Sequence, residues 1–289
     1  MSHSIGVFIP TFQARHHLPF CLPPLLQSPL KPRLLLLDSS STDGTVEYAQ
    51  QLGIETHVIP QHEFNHGLTR EKGRRLLGTS IVVMMTQDAY ATSSHMLNYL
   101  VDPLIKQQAS IAYARQLPHP GADFFEAFAR EYNYPDRSHI RGIQDFKQWG
   151  SYTFFCSNSC AAYSQSALDE IGGFSSILFG EDTIAVAKLL RQHHQIAYVA
   201  EAQVCHSHRY NLKQEFCRHF DMGLARQMYQ ELLAVKGEDT KRGHAYVKTM
   251  LKKLLKTYPQ KIPYALLQTA AKFCGYQLGR VWGQVWGHA

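Results

Sequence analysis

The 289-residue chain lacks the short motifs that announce several common chemistries. No GxGxxG follows the first apolar segment and no GxxxxGK[ST] occurs anywhere, so dinucleotide binding of the usual kind and P-loop chemistry have no local support. GxSxG is absent too, which disfavours a hydrolase built on a nucleophile elbow. The six cysteines, at 21, 156, 160, 205, 217 and 274, include no CxxC pair and are too sparse for a disulfide framework. Reduced thiols of a cytoplasmic protein are expected. No apolar run is long enough to span a bilayer, and no basic start precedes a long apolar stretch, so neither a membrane span nor a signal peptide is expected. Internal repeats and low-complexity tracts are also missing.

What is present is a foldable body with an uneven charge. Hydrophobic residues make up 45% of the chain, enough for a sizeable core. The net charge is +6, yet residues 236–289 hold ten Lys/Arg against two acidic residues, a net of +8, which leaves −2 for the rest. The expected organisation is a domain over residues 1–235 and a basic amphipathic helical tail over residues 236–289. A main body with no basic bias argues against a nucleic-acid partner. The tail suits an anionic membrane surface: Val247, Met250, Leu251, Leu254, Leu255 and Tyr258 follow helical spacing, several lysines lie around them, and Trp282 and Trp286 fit an interface. A helix packed on the domain with a solvated lysine face explains that pattern equally well.

Apolar runs at residues 5–10, 34–37, 56–59, 81–85 and 196–199 read as strands. Residues 153–163 are expected to form another, and residues 110–149 to be irregular. Helices are expected around Leu22, from 46 to 52 with Thr42 or Asp43 as cap, and over 68–77, 166–171 and 183–191. Strands alternating with helices imply an α/β chain with a mostly parallel central sheet, whose ligands bind at the carboxyl ends of the strands. Asp38 and Asp88 both stand at such ends.

Five features could carry chemistry. Asp88, on a loop after a buried strand, could hold a divalent cation, Mg²⁺ or Mn²⁺, although alone it reads more readily as a turn residue. Asp38 could meet a nucleobase or ribose, or close an Asx-turn. Glu181 and Asp182 open a helix after Gly180, where a carboxylate can be a general base or merely a helix cap. Cys205, His206 and His208, with Cys217 and His219 downstream, suggest a metal, but without CxxC a structural zinc site is disfavoured and one histidine completing an oxygen-rich site fits better. His66 and Arg70, near a helix start, could meet phosphate.

The order of these elements is more specific than any one of them. Ile9-Pro10-Thr11-Phe12, then Leu37-Asp38 through Asp43-Gly44-Thr45, then Thr86-Gln87-Asp88-Ala89, then Gly180-Glu181-Asp182 resembles glycosyltransferase family 2, inverting enzymes with the GT-A fold. The resemblance covers residues 5–233. Residues 64–70 and 128–135, with His206-Ser207-His208, look like its rhamnosyltransferase branch. It implies a nucleotide-diphospho-sugar transferase fold with a C-terminal helical extension. Pro10, Thr11, Asp38, Arg70, Gln87, Asp88 and Glu181 would bind the nucleotide sugar. Asp88 with His206 or His208 would hold the metal, and Asp182 would be the base. The donor would be dTDP-, UDP- or GDP-linked, and the acceptor a glycan or lipid-linked glycan at the inner face of the cell membrane. Thr86 and Gln87 replace the other acids of the family's Asp-x-Asp, and Ser39 stands where many members have a second aspartate. Leu68 and Glu71 replace a glycine and an asparagine common in the branch.

Two other readings share the scaffold. A nucleotidyltransferase would need a glycine- and arginine-rich loop after the first strand, where this chain has Phe12-Gln13-Ala14-Arg15-His16-His17. A catalytically degenerate nucleotide-sugar-binding protein would fit the lone carboxylate at 88.

Overall fold

The computed structural model describes residues 3–177, 179–233 and 239–286. Nine strands pair into one sheet among these residues: β1 (Ile5–Thr11), β2 (Arg33–Asp38), β3 (Glu55–Val58), β4 (Ile81–Met85), β5 (Tyr90–Ala91), β6 (Ile111–Leu117), β7 (His139–Arg141), β8 (Cys160–Ser164) and β9 (Ile196–Cys205). The helices are α1 (Leu18–Leu26), α2 (Thr45–Gln51), α3 (His66–Leu77), α4 (Met96–Ile105), α5 (Phe124–Asn133), α6 (Phe146–Trp149), α7 (Gln165–Glu170), α8 (Glu181–Arg191), α9 (Leu212–Met228), α10 (Gln230–Leu233), α11 (Asp239–Thr257) and α12 (Ile262–Trp286). The strand order is β3-β2-β1-β4-β8-β6-β9-β5, with β7 beside the start of β9.

Strands β3, β2, β1 and β4 run parallel, and β6 runs parallel to β9. β8 is antiparallel to both β4 and β6, which makes the sheet mixed in its second half. Alternation along the strands explains the unbroken apolar runs. Val7 and Ile9, with Leu34 and Leu36, enter one core layer, while Phe8, Leu35 and Leu37 enter the other. A strand covered on both faces needs apolar side chains at every position. Each buried leucine contributes about 1.5–3 kcal/mol to this packing.

Three local expectations need correction. Residues 110–149 contain the seven-residue β6 and the helix α5, which Asp123 and Glu126 close with a reciprocal capping box. The strand expected from residue 153 starts only at Cys160, because residues 150–154 form a 3₁₀ turn and residues 157–159 turn their polar groups to other partners. Helix α2 is entered through Gly44 in the left-handed region, with φ +85°. Asp43 supports it by accepting from the Thr45 amide at 3.1 Å.

The basic C-terminal segment is docked through one face. α12 lies along α9 so closely that a Cβ on Gly279 would stand 2.0 Å from the Phe220 carbonyl, and one on Gly275 2.3 Å from that of Phe216. α11 packs through Met250 and Leu254 onto Phe128 of α5. The opposite face of α12 leaves Phe273, Leu278, Val281 and Val285 exposed. The Trp286 side chain lies outside the described residues.

Candidate active site

Strand register explains why distant segments meet. Pairing sets Thr11 beside Asp38, Met85 beside Cys160, and Leu117 beside Cys205. The residues just beyond these ends share one edge of the sheet: Asp88 after β4, residues 157–159 before β8, and His206 and His208 after β9.

Asp88, His206 and His208 form the first cluster. His206 Nε2 lies 3.5 Å from Asp88 Oδ1, His208 Nε2 lies 3.5 Å from Asp88 Oδ2, and the two nitrogens are 3.1 Å apart. Among the described residues this is the one group of three such side chains whose ligand atoms all lie within 4.8 Å of one another. Gln116 Oε1 sits 2.9 Å from His206 Nδ1 and also accepts from Arg130. Arginine can only donate, so this atom is the amide oxygen and the imidazole proton resides on Nδ1. The Nε2 lone pair then faces Asp88 and His208, the kind of outer orientation that metal-binding histidines receive. Burial lowers both imidazoles. For His208, the neighbouring His206 adds to the effect and brings it to about 4, so both rings are neutral near pH 7. Burial works to raise Asp88, but as pH falls and the two imidazoles take up protons, the hydrogen bond from His206 and the charge of both rings outweigh it and hold the acid below its ordinary value. Two neutral imidazoles and a carboxylate are a donor set that fits a divalent transition cation. Cys205, Cys217 and His219 take no part; His219 Nδ1 instead lies 2.8 Å from the Glu215 carbonyl.

Glu181 and Asp182 form the second cluster at the start of α8. Gly180, at φ +86°, turns the chain so that both carboxylates enter the interior. Glu181 lies 3.3 Å from Arg70 Nη1 and accepts from Asn158 Nδ2 at 3.0 Å. Tyr163 donates to Asn158 Oδ1 at 2.8 Å and so orients that amide. Burial works against the Glu181 anion, but Arg70 outweighs it and the acid stays low. Asp182 behaves oppositely. Burial first, then the Glu181 charge, push it up to about 6. Adjacent carboxylates driven apart in this way acquire different roles, one fixed as an anion and one poised to exchange a proton.

Residues 157–159 join the clusters. The Asn158 amide donates to Asp182 Oδ2 at 3.2 Å, Ser159 Oγ lies 3.4 Å from His206 Nε2, and Gln116 donates to Ser157 at 2.9 Å. Sequence reasoning did not single out Gln116, Asn158, Ser159 or Tyr163. The run Ser157-Asn158-Ser159 before a small-residue strand was the available signal.

The nucleotide side of the edge differs from expectation. Asp38 is 0% exposed, and its carboxylate accepts from Thr11 Oγ1 at 2.8 Å and from the Ser41 amide and hydroxyl at 2.7 Å each. It shapes the loop after β2 and faces no open space. Gln87 clamps the Phe12 backbone, accepting from its amide at 2.8 Å and donating to its carbonyl at 3.0 Å. Pro10 is partly exposed beside buried Thr11. Arg70, expected at the diphosphate, is 3% exposed; its polar contacts are Glu181 and His66, because α3 packs it inward. Glu71 is spent on Arg74, Arg75 and the Phe174 amide, away from both clusters.

The model of the Glycosyl transferase family 2 family matches residues 6–172. The O-antigen chain rhamnosyltransferase RfbN of Salmonella typhimurium is 36% identical over 286 residues, covering 96% of this chain and 90% of the relative. The O-antigen chain rhamnosyltransferase WbaN of Salmonella anatum is 38% identical over 252 residues, with 86% and 80% covered. Among solved structures, the mannosyltransferase PcManGT from Pyrobaculum calidifontis, in complex with GDP-Man and Mn²⁺, superposes with a TM-score of 0.62 at 16% identity. That match covers 98% of this chain and 84% of the other.

Proposed function

This chain belongs to glycosyl transferase family 2 and is a glycosyltransferase of GT-A fold, and from that premise we propose that it is an inverting rhamnosyltransferase extending an O-antigen-type glycan. The observation that carries the reading is the pairing of a poised Asp182 with the Asp88–His206–His208 cluster through one short segment, residues 157–159. The names of both curated relatives support rhamnose as the sugar and an O-antigen chain as the acceptor.

In this reading the nucleotide-diphospho-sugar lies along the edge at Pro10 and Gln87, whose loops Thr11 and Asp38 shape from within, and the diphosphate faces Asp88. A divalent cation held by Asp88, His206 and His208 would offset diphosphate charge as the leaving group departs. Two imidazole donors favour Mn²⁺ over the oxygen-seeking Mg²⁺. Asp182 accepts the proton of the acceptor hydroxyl as that oxygen bonds to the anomeric carbon. The bond from that carbon to the diphosphate breaks, and the nucleoside diphosphate leaves with the electron pair. Arg70 and Asn158 fix Glu181, whose charge keeps Asp182 basic enough to act near neutral pH.

The outer face of α12, with Phe273, Leu278, Val281 and Val285, supports peripheral docking on an anionic cytoplasmic membrane surface, where a lipid-linked acceptor would be presented. Among the described residues no helix is long and apolar enough to cross a membrane. Flotation with anionic liposomes tests this: Phe273→Ser with Val281→Ser should lose the bound fraction, and an unchanged fraction refutes docking.

The function is tested by incubating the chain with dTDP-rhamnose, UDP- and GDP-sugars, Mn²⁺ and a glycan acceptor. Release of nucleoside diphosphate with rhamnose transfer is expected. Pyrophosphate release would mean nucleotidyl transfer, and binding without turnover a degenerate member.

A further inference from the structure

A departing nucleoside diphosphate gathers negative charge that a guanidinium can offset beside a cation, and most arginines near the site are committed. Arg70 is buried against Glu181, Arg130 is bonded to Gln116, and Arg141, 1% exposed, is held by the Thr153 and Phe155 carbonyls. Arg209 lies 3.7 Å from Asp123. Arg218 is different. It is exposed on α9 and forms no ion pair among the described residues. Its guanidinium carbon lies 5.0 Å from the Tyr210 ring centre and 5.5 Å from that of Phe179, and its Nη1 donates to Tyr210 Oη at 3.0 Å.

Those two rings connect it to both clusters. Tyr210 stacks on His208 with ring centres 5.2 Å apart, and His208 approaches Asp88. Phe179 immediately precedes Gly180, Glu181 and Asp182. The guanidinium therefore lies on an aromatic floor of two rings, one stacked on His208 of the metal-type cluster and the other next in the chain to Gly180, Glu181 and Asp182. Its charge reaches the base side as well: burial and Arg70 lower the His66 imidazole, and Arg218 adds to the effect.

We propose that Arg218 is the diphosphate-gripping residue of this transferase, donating its planar fork to phosphate oxygens as the sugar leaves. The assignment deepens the reading of the site as a nucleotide-sugar transferase and rests on it. A guanidinium matches two phosphate oxygens at once, keeps its charge at all working pH values and stacks on aromatic faces, so it suits this floor better than an ammonium would. Because negative charge on the diphosphate grows as the bond to sugar breaks, the contact strengthens in the transition state and acts on kcat more than on KM.

The test compares wild type with Arg218→Ala and Arg218→Lys on two readouts. The first is binding of inorganic pyrophosphate and of dTDP, UDP and GDP with MnCl₂, by calorimetry. The second is kcat and KM for sugar transfer. Arg218→Ala is expected to weaken pyrophosphate binding about tenfold or more and to lower kcat by roughly 10²–10³-fold. Arg218→Lys should recover part of the binding and little of the kcat. The side chain is exposed, so melting temperatures should match wild type. Diphosphate binding and kcat both within twofold of wild type in Arg218→Ala would overturn the assignment. Should no sugar be transferred by the wild type, the transferase reading fails, while the pyrophosphate comparison still decides whether Arg218 is an anion-binding group.

Discussion

The two halves of the site edge are built on opposite principles. Around Thr11, Asp38, Ser41 and Gln87, the donors and acceptors of these side chains meet within the chain, and the result is a closed hydrogen-bond lattice that holds the loops after β1, β2 and β4 in register. Around Asp88, His206, His208, Glu181 and Asp182, like groups are pressed together: two imidazole nitrogens 3.1 Å apart, and adjacent acids of which one is pushed up to about 6. The first half is a closed lattice and shapes; the second holds like groups at close quarters, with one acid driven up, and reacts. Substitutions in the first half should therefore be read out as stability, and those of Asp182 and the metal-type cluster as turnover.

The largest effect belongs to Asp182. Asp182→Asn keeps the size of the side chain and removes the base, and is expected to cost roughly 10²–10⁴-fold in kcat. Donor binding, followed by calorimetry, should stay near wild type. Turnover close to wild type would remove Asp182 from the base role and blur the contrast between the halves. Because the carboxylate must be ionised to accept a proton, wild-type activity should fall as pH drops through about 6.

Next in size is the outer partner of the metal-type cluster. Gln116→Ala removes the acceptor that holds the His206 proton on Nδ1. Losses of this kind typically cost about 10–100-fold in metal affinity. Titration of Mn²⁺ in a tryptophan-fluorescence or calorimetric assay should show that weakening, and excess Mn²⁺ should restore most of the activity. EDTA should abolish wild-type turnover, and EDTA-insensitive activity would refute a metal role for the cluster.

How much of this was legible in the chain follows the same division. β1, β2 and β4 were readable because a strand buried on both faces shows an unbroken apolar run, and the register then carries Asp38 and Asp88 to one edge. β6 was not, because Ala112 and Ala114 pack by being small, and the polar Arg115 and Gln116 interrupt the pattern, Gln116 in order to hold His206. Glu181-Asp182 was visible as adjacent acids after a glycine. That Asp88 meets histidines more than a hundred positions away was implied by family resemblance alone, since the pairing depends on β9 continuing past a bulge at residues 200–202. Asp38, Gln87 and Arg70 were expected to bind the nucleotide sugar, but their side chains are spent on Ser41, Phe12 and Glu181, a matter of orientation that spacing does not encode.

The lattice half is tested by Asp38→Ala. It strips the acceptor from Thr11 and from two Ser41 donors inside a site that is 0% exposed. An unsatisfied buried donor costs about 1–3 kcal/mol, so a clear fall in melting temperature is expected. At saturating donor, kcat should stay within a few fold of wild type. A stable variant with a collapsed kcat would move Asp38 into the reacting half.

The smallest change is also the sharpest, because it acts on one cause of one pKa. Glu181→Gln removes the negative charge that helps raise Asp182, and it frees Arg70 to favour the Asp182 anion. Both effects lower the Asp182 pKa, so the acidic limb of the pH–rate profile should move below 6. The movement should be partial, because burial is the larger cause and remains. At pH 7, where Asp182 is already ionised, the charge effect on rate should be slight and of the sign set by a weaker base. Leaving Arg70 buried without its partner is expected to cost stability, about 3–5 kcal/mol for a broken buried pair, so the profile is measured at a temperature where the variant stays folded. A limb that stays at about 6 would assign the raised value to burial alone and make Glu181 an anchor for Arg70 and Asn158. A limb that moves down makes the adjacent acids a tuned pair, and places the boundary between the shaping and reacting halves between Arg70 and Glu181.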